Sequence, residues 1–423
     1  MLDPKVAFVG MTHLGLNSAV AGAGRGFSMV CFDTDVALIE RLNAGIMPVV
    51  EPDLDALAAK HRDRLTFTAD PAYLRTCDVV YVAPDVATDD QGGSDLSVLD
   101  RLLSLAFDCA RDDAVIVVLS QVPPGYSRAH QRPGRHLIYQ VETLIFGQAV
   151  ARALNPERTI IGVASPNDPL PAAYKAYLDG HGNPPLLTMR YESAELAKIS
   201  INCCLVASVS VANTLAELCA KIGADWSEIV PALKLDRRIG PYSYLTPGLG
   251  ISGGNLERDL ATLVRFADER GTHAGVVRAW IDNSRYAKDW ALRTLHQVVL
   301  DLVKQPCIAV LGLAYKQDTH STKNSPSLAL IGSLGPFDVA VYDPVVPATA
   351  APHPQVRAAS SELDCMRGAD ALVIMTSWGQ FKTLAPAAIK AALRGDVVID
   401  PHRVLDPAAV RAAGLRYFTL GTS

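Results

Sequence analysis

Short runs of consecutive apolar residues recur along the chain, each ending in glycine, proline, serine or an acid, and they predict buried strands. KVAFVG (residues 5–10) and SMVCFDTD (28–35) come first, and CDVVYVAP, AVIVVLS and TIIGVAS follow with helical segments between them. Strands buried on both faces read as continuous apolar runs rather than as alternating ones. The pattern therefore predicts an open parallel sheet over roughly residues 1–190.

The middle of the chain has a helical period instead. From Glu192 to Ile222 the sequence is largely apolar and contains neither glycine nor proline. Helical character returns after the loop RRIGPYSYLTPGLGISGG and continues to about Val303. Such a region is either a spacer that carries a dimer interface between two α/β units or a plain helical subdomain. The pattern alone does not separate these two interpretations.

From Cys307 the strand pattern returns in CIAVLGLAY, FDVAVYDP, ALVIMTS and DVVIDP. The expected fold class is therefore α/β, with two Rossmann-like doubly wound domains joined by a long-helix central dimerisation region. The expected domain boundaries are 1–190, 191–303 and 304–423.

Composition narrows the class of protein. A chain of 423 residues is long enough for two or three domains, and its net charge of −5 gives no reason to expect nucleic acid or an anionic membrane as a partner. The apolar runs fall short of the about 20 residues of a spanning helix, and the N-terminus leads directly into a strand, so no signal peptide is expected. The eight cysteines are scattered without a C-x-x-C spacing. We expect no metal, and reduced thiols in a cytoplasmic protein.

The turn GMTHLG after the first strand is an altered dinucleotide fingerprint. Gly10 and Gly15 match its outer glycines, but Thr12 replaces the middle glycine that normally admits the pyrophosphate. Acids at the end of the second strand would accept ribose hydroxyls and favour NAD over NADP. The alternative is a structural turn on a Rossmann-like sheet. The candidate cofactor residues here are Gly10, Thr12, His13, Leu14, Gly15, Asp33 and Asp35.

Two further segments hold candidate chemistry. In ESAELAKISINCC, Lys198 and Asn202 are four residues apart and share one helix face, where they could serve a pocket. A solvated face with a Glu195–Lys198 pair is the alternative. The segment GLAYKQDTHSTKNSPS places lysines and hydroxyls in a turn before a helix, which suits phosphate contacts, although a polar loop would look the same.

Taken in chain order, these segments resemble the UDP-glucose/GDP-mannose 6-dehydrogenase family over almost the whole sequence. The segments that carry the resemblance are VGMTHLG, LNAGIMPVVEPDL, ELAKISIN, RRIGPYSYLTPGLGISGGNLERD, VLGLAYKQDTHSTKNSPS, VYDPVV, LVIMTSWGQF and VVIDPHRVLDP. The resemblance implies an N-terminal NAD domain, a long-helix dimer core and a C-terminal nucleotide-sugar domain. It also implies two NAD-dependent oxidations at C6 of the sugar, through a cysteine-bound thiohemiacetal and thioester.

The family's catalytic residues can be carried over position by position. Its lysine and asparagine, which stabilise an oxyanion, fall on Lys198 and Asn202, and its aspartate, which acts as a base through water, falls on Asp259. Its nucleophilic cysteine falls on Asn255. Its first glutamate falls on Glu142, its second on Phe146, and the threonine of its cofactor segment on Gln121.

The resemblance also implies a nucleotide-sugar site, with UDP as the default base and a UDP-hexose as the substrate. Lys323, a candidate cofactor residue, replaces an arginine and keeps the charge, whereas the sequence offers no reason for Asn324 in place of an acid. The family's arginine near the C-terminus falls on Arg403, or one position earlier on His402. The candidate substrate residues are Tyr242, Tyr244, Leu245, Gly250, Gly253, Lys316 and Arg403.

The position of Asn255 determines the expected reaction. An amide is not a nucleophile at neutral pH, so the thioester route is closed and oxidation is expected to stop at the C6 aldehyde. The alternatives are a redox-neutral epimerase that uses bound NAD and a transient C6 aldehyde, a full dehydrogenase that works without cysteine, and a non-catalytic nucleotide-sugar-binding protein. A homodimer is expected.

Overall fold

The computed structural model describes residues 3–89 and 93–422, and its contacts divide it into two units, residues 1–201 and 202–423. Each unit contains its own mainly parallel sheet with helices on both faces. The helix Tyr191–Ile222 crosses the boundary between the two units.

The first unit is built on an eight-stranded sheet of order β10-β9-β8-β7-β4-β1-β2-β3. The eight strands of this sheet are β1 (Val6–Val9), β2 (Met29–Phe32), β3 (Leu65–Thr68), β4 (Val79–Val82), β7 (Val115–Val118), β8 (His136–Gln140), β9 (Thr159–Val163) and β10 (Leu186–Arg190). Two further short strands, β5 (Ala87–Thr88) and β6 (Ser94–Asp95), pair antiparallel in a separate two-stranded sheet. Its helices are α1 (His13–Gly24), α2 (Val36–Asn43), α3 (Leu54–Lys60), α4 (Ser97–Cys109), α5 (Tyr126–Ala129), α6 (Ala149–Leu154), α7 (Ala172–Asp179) and the start of α8 (Tyr191–Ile222).

The central strands are apolar at every position because both faces of the sheet are covered. In β1, Val6 and Phe8 belong to the apolar cluster that includes α1, whereas Ala7 and Val9 belong to the cluster that includes α4. Successive side chains of a strand point to opposite faces, so one run of four apolar residues contributes to two cores.

The prediction of an entirely parallel first sheet is wrong at one edge. β8 pairs antiparallel with β9, and β10 is parallel to β9, so these two edge strands run against the other six. A parallel neighbour requires a crossover that carries the chain back along the sheet. The connection from β8 to β9 contains only α6, whose six residues span about 9 Å. A five-residue strand is about 17 Å long, so the chain turns back instead.

The second unit begins within α8 and continues with α9 (Trp226–Leu235), α10 (Asn255–Arg270), α11 (Gly275–Lys288), α12 (Trp290–Leu295) and a π-helical segment, His296–Leu300. The sheet and its helices follow: β11 (Cys307–Leu311), α13 (Pro326–Ser333), β12 (Asp338–Tyr342), β13 (Arg357–Ala358), α14 (Glu362–Met366), β14 (Ala371–Ile374), α15 (Pro386–Ala392), β15 (Val397–Ile399), α16 (Pro407–Ala412) and β16 (Arg416–Phe418).

This second sheet has the order β13-β12-β11-β14-β15-β16, and all its strands are parallel. The strand order changes direction on either side of β11, as in a doubly wound fold. The predicted fold class, α/β with two Rossmann-like sheets, is confirmed. The boundaries at 190 and 303 and the dimerising role of the helical region remain predictions.

One described helix, α8, is long and apolar enough to cross a membrane by length and composition alone. In its most apolar stretch 44% of the residues are buried inside the protein, and core helices of soluble proteins meet the same two criteria. The expectation that no segment approaches the length of a membrane-spanning helix is therefore wrong for α8. It considered only uninterrupted apolar runs, whereas isolated polar residues break up the apolar stretch of α8.

Candidate active site

The glycine turn between β1 and α1 is tightly packed. A Cβ on Gly15 would lie 1.9 Å from the carbonyl oxygen of Gly10, so only glycine fits at the sixth position of the motif. Asp33, at the end of β2, accepts a hydrogen bond from the Met11 amide at 2.7 Å. Asp35 is exposed and caps α2 by accepting from the Leu38 amide at 3.1 Å. Both predicted ribose acids therefore follow β2, and Asp33 is attached to the turn itself.

The N-terminus of α1 has a carboxylate contact that the sequence did not indicate. Asp85, three residues beyond β4, accepts a hydrogen bond from the His13 amide with its Oδ2 at 3.0 Å. The Asp85 amide in turn donates to the Thr12 hydroxyl at 2.8 Å. Thr12, which replaces the middle glycine, is thus engaged with this neighbouring loop. An acid just past a central strand, at the carboxyl edge of the sheet, is the sequence signal that could have identified Asp85.

The His13 side chain links the glycine turn to the segment after β8. Its Nε2 lies 2.7 Å from Glu51 Oε1, and its ring stacks on Phe146 with centroids 4.0 Å apart. Glu51 also accepts from the Gly147 amide at 2.9 Å. Phe146, where the resemblance predicts the family's second glutamate, packs on the His13 ring. Sequence reasoning passed over Glu51, although it lies within the quoted segment LNAGIMPVVEPDL.

Lys198 and Glu142 form a half-buried ion pair in the first unit. The Lys198 Nζ lies 2.7 Å from Glu142 Oε1 and donates to the Glu142 backbone oxygen at 3.2 Å. The suggested pairing of Glu195 with Lys198 is wrong. Glu195 is fully buried and accepts from the amides of Gly125 and Ser127 at 2.6 and 2.8 Å. The Glu195 carboxylate thus bonds the start of α5, and Lys198 pairs instead with Glu142 in the segment after β8.

In the second unit Asn202 donates a hydrogen bond from its amide to the Asp259 carboxylate on α10. Asp259 is 1% exposed, and Arg258 Nε lies 3.4 Å from its other oxygen. Cys203 is buried too, and burial, reinforced by the nearby Asp259 carboxylate, raises the pKa of its thiol to about 12. A thiol with that pKa stays protonated at neutral pH and is a poor nucleophile.

Asn255 is exposed and is the first residue of α10. The loop before it has Gly253 at φ 77°, a left-handed conformation that favours glycine. The Gly253 amide donates to the Lys323 backbone oxygen at 3.1 Å, so this loop is attached to the segment before α13. Asn255 therefore lies at the positive end of a 16-residue helix, where a thiolate would be stabilised and an amide gains no comparable activation.

Asn324 acquires an explanation from the same contacts. Its Nδ2 donates to the Gly253 backbone oxygen at 3.0 Å and to the Glu257 carboxylate. Glu257 also lies 2.9 Å from Lys288 Nζ. Asn324 has φ 51°, a conformation that asparagine tolerates better than most residues. Glu257 already forms the ion pair with Lys288. An amide at position 324 can donate a hydrogen bond to the Glu257 carboxylate, whereas a second carboxylate at 324 would repel Glu257.

The predicted substrate residues differ in exposure. Tyr242 is 93% exposed, whereas Leu245 is buried in a cluster with Trp226, whose indole donates to its backbone oxygen at 2.8 Å. Arg403 is exposed and lies 3.3 Å from Asp225, while His402 Nε2 lies 3.2 Å from the Met375 backbone oxygen. Tyr244 is exposed, and the Lys316 ammonium lies above the Tyr315 ring. Gly250 precedes Ile251, whose amide donates a hydrogen bond to the Ser284 hydroxyl. The candidate cofactor residue Gln121 is buried.

Two Rossmann-like sheets, a glycine turn followed by acids, and a lysine and an asparagine on one helix define a dinucleotide-dependent oxidoreductase fold. Comparison with known protein families supports the same class of protein. The NAD binding domain of the UDP-glucose/GDP-mannose dehydrogenase family matches residues 4–177, its central domain 192–285 and its UDP binding domain 309–407. The chain belongs to this family, whose members are NAD-dependent nucleotide-sugar oxidoreductases.

Individual relatives extend over the whole chain. UDP-glucose 6-dehydrogenase TuaD of Bacillus subtilis is 30% identical over 99% of this chain and 93% of its own. UDP-glucose 6-dehydrogenase of Pseudomonas aeruginosa is 29% identical over 99% and 97%. The UDP-glucose dehydrogenase structure from Pyrobaculum islandicum superimposes with a TM-score of 0.86 at 25% identity, over 100% of this chain and 98% of the other.

The first unit fits NAD in most respects. The compact glycine turn and the acids after β2 are present as a dinucleotide requires. Asp85 is the exception, since its carboxylate accepts a hydrogen bond from an amide at the N-terminus of α1, where a pyrophosphate normally binds. Among residues 3–89 and 93–422, no group of three or more His, Cys, Asp or Glu side chains is arranged to hold a metal ion.

Proposed function

We propose that this protein oxidises the C6 alcohol of a UDP-hexose to the aldehyde and does not carry the product on to a uronic acid. The observation that carries the proposal is an exposed amide, Asn255, at the start of α10, next to the buried Asn202–Asp259 contact. The nucleophile position assigned by the family resemblance thus lacks a thiol and the second glutamate position holds Phe146, while Lys198, Asn202, Asp259 and Glu142 are present.

Lys198 supports the first oxidation. Its ammonium has three donors, and the two contacts with Glu142 orient it. A fixed cation stabilises the alkoxide that develops as the C6 hydroxyl loses its proton. Bound NAD supplies the hydride acceptor.

Asn202 and Asp259 support the same step. The Asp259 carboxylate accepts from the Asn202 amide, which fixes the rotamer of an asparagine one helical turn beyond Lys198. We assign to Asn202 a hydrogen bond to the sugar oxygen, and to Asp259 the removal of the hydroxyl proton through a water molecule.

The second oxidation would need covalent capture of the aldehyde, or its hydrate. An amide nitrogen does not add to an aldehyde as a thiolate does. Cys203 does not replace the missing thiol, because burial keeps it protonated. These properties support an aldehyde as the released product.

A nucleotide-linked sugar is supported by the UDP binding domain match over residues 309–407. In that part of the chain we assign Lys316 and Arg403 to the diphosphate and sugar. Glucose is the first sugar to test, because the relatives named above act on UDP-glucose.

The test is a panel of UDP- and GDP-hexoses incubated with the protein, with and without NAD, and analysed by mass spectrometry and NMR. The proposal predicts NADH and a C6 aldehyde or its hydrate. A uronic acid formed at an enzyme-like rate contradicts it. In deuterated water, deuterium appearing at C5 without net NADH would indicate the epimerase instead, and binding without any product would indicate a non-catalytic protein.

A further inference from the structure

We propose that Asp85 is a built-in competitor for the pyrophosphate of NAD, which must be displaced from the N-terminus of α1 before the dinucleotide binds. This inference rests on the NAD-binding role of the first unit and is independent of whether the product is an aldehyde or an acid. The structural basis is a carboxylate where a phosphate is expected.

The contact has two parts that fix it in place. Asp85 Oδ2 accepts from the His13 amide at 3.0 Å, and the Asp85 amide donates to the Thr12 hydroxyl at 2.8 Å. His13 is the first residue of α1 and Thr12 its N-cap, but the Thr12 side chain does not bond the helix amides. The Asp85 carboxylate therefore accepts the hydrogen bond of the His13 amide, which an N-cap side chain or a bound phosphate would otherwise accept.

Charge makes the two anions exclusive. The positive end of a helix stabilises one anion, and the amide donors there cannot serve a carboxylate and a diphosphate together. The other ionisable groups at this turn are His13, which is paired with Glu51, and Asp33, which is bonded to the Met11 amide. Burial raises the pKa of the Asp85 carboxyl, and the His13 charge and the hydrogen bonds at the turn oppose that rise. In its ionised form Asp85 presents an incoming diphosphate with a like charge.

Displacement of Asp85 is structurally feasible. Asp85 is exposed, and it lies in the connection between β4 and the short strand β5. An exposed loop carboxylate can rotate into water, where solvation replaces the lost hydrogen bond. Thr12 then has a consequence for affinity: its hydroxyl holds the Asp85 backbone at the turn, which a glycine could not do.

The test measures binding to substrate-free protein by isothermal titration calorimetry. Asp85→Asn keeps the shape of the side chain and removes its charge, and Asp85→Ala removes the contact. Both should tighten NAD binding by about tenfold, the size expected for one charge at a partly buried helix end. ADP-ribose should gain the same factor. Adenosine has no phosphate, so its affinity should not change.

Asp89→Asn is the matched control. It removes the same charge from a nearby position, just after β5, but its carboxylate accepts from the Gly93 amide at 2.7 Å rather than from α1. NAD affinity should stay within about twofold of the unmodified protein, since surface charges at a distance are screened by salt. Unchanged or weaker NAD binding by folded Asp85→Asn overturns the inference, and so does an equal gain for adenosine. Because substrate is absent, either outcome leaves the proposed aldehyde-level reaction untouched.

Discussion

The Lys198 ammonium is held on two sides by one residue, at 2.7 Å from Glu142 Oε1 and 3.2 Å from the Glu142 backbone oxygen. Glu142 is itself fixed, because its Oε2 accepts from the Leu144 amide at 2.9 Å. The side chains of both residues are less than 15% exposed (13% and 14%), so water competes weakly for the pair. Lys198 is thus positioned before any substrate arrives.

Lys198→Met should therefore lower kcat by about 100- to 1,000-fold, the loss expected when a fixed oxyanion donor is removed. The measurement is the steady-state rate of NADH formation with a UDP-hexose. Lys175→Met is the control, because Lys175 forms only an exposed pair with Asp179 and should leave the rate within about twofold.

Glu142→Gln should reduce kcat less than Lys198→Met, roughly tenfold, because the backbone oxygen of residue 142 still orients the lysine. In the double variant the two losses should not add, since the residues are in direct contact. Fully additive losses would show that Glu142 acts independently of Lys198.

Asp259 should have separable effects on stability and rate. Asp259→Ala removes the acceptor of Asn202 from a site that is 1% exposed and lies beside the Arg258 guanidinium, and should destabilise the fold by about 3 kcal/mol. Asp259→Asn retains an acceptor oxygen and should unfold closer to the unmodified protein while losing most activity. Thermal unfolding and kcat measured on both variants test this, and equal melting temperatures for the two would contradict the role given to the carboxylate.

The central strands were predictable because burial on both faces leaves a continuous apolar run, as in VVYV of β4 and VIVV of β7. The edges were not. β10 (LLTMR) is largely exposed, and β13 has only two residues, so neither gives such a run. The reversal between β8 and β9 follows from the short helix α6 that connects them, which a strand pattern does not encode.

The candidate site shows a similar division. The spacing of Lys198 and Asn202 on one helix left both a pocket and a solvated face open, and the family resemblance assigned them a catalytic role, which remains a prediction. Asp85, Glu51 and Glu257 act through contacts with residues 31 to 96 positions away in the chain. Such pairings arise from the three-dimensional arrangement of the chain. The position of Asp85 just past a central strand was a signal for that residue, but no local pattern indicates the partners of Glu51 and Glu257.

Cys203 and Cys204 should react very differently with iodoacetamide. Cys204 is exposed, whereas Cys203 is buried with the pKa of its thiol raised to about 12, so at pH 8 Cys203 is almost entirely protonated. Peptide mapping of the native protein at pH 8 should find Cys204 alkylated and Cys203 intact. Cys203→Ala should leave the rate of NADH formation unchanged, and a large loss would identify Cys203 as a replacement nucleophile.

Asn255→Cys should extend the reaction to the uronic acid. A thiol at the first position of a 16-residue helix has its pKa lowered by the helix end, so it should react with iodoacetamide at neutral pH. It should then capture the aldehyde for a second oxidation. Asn255→Ser is the control, because a helix end does not ionise a serine hydroxyl as it ionises a thiol, so the product should stay at the aldehyde. If the Asn255→Cys protein is alkylated by iodoacetamide at position 255 but still releases the aldehyde, position 255 is not the nucleophile position.

The most direct test of the central claim is the molar ratio of NADH formed to UDP-hexose consumed by the unmodified protein. The measurement combines absorbance at the end of the reaction with quantitative analysis of the remaining sugar nucleotide. Oxidation that stops at the aldehyde gives a ratio of one, with the aldehyde or its hydrate as the product. A ratio of two with accumulation of the UDP-uronic acid would show that the chain completes both oxidations without a thiol at position 255.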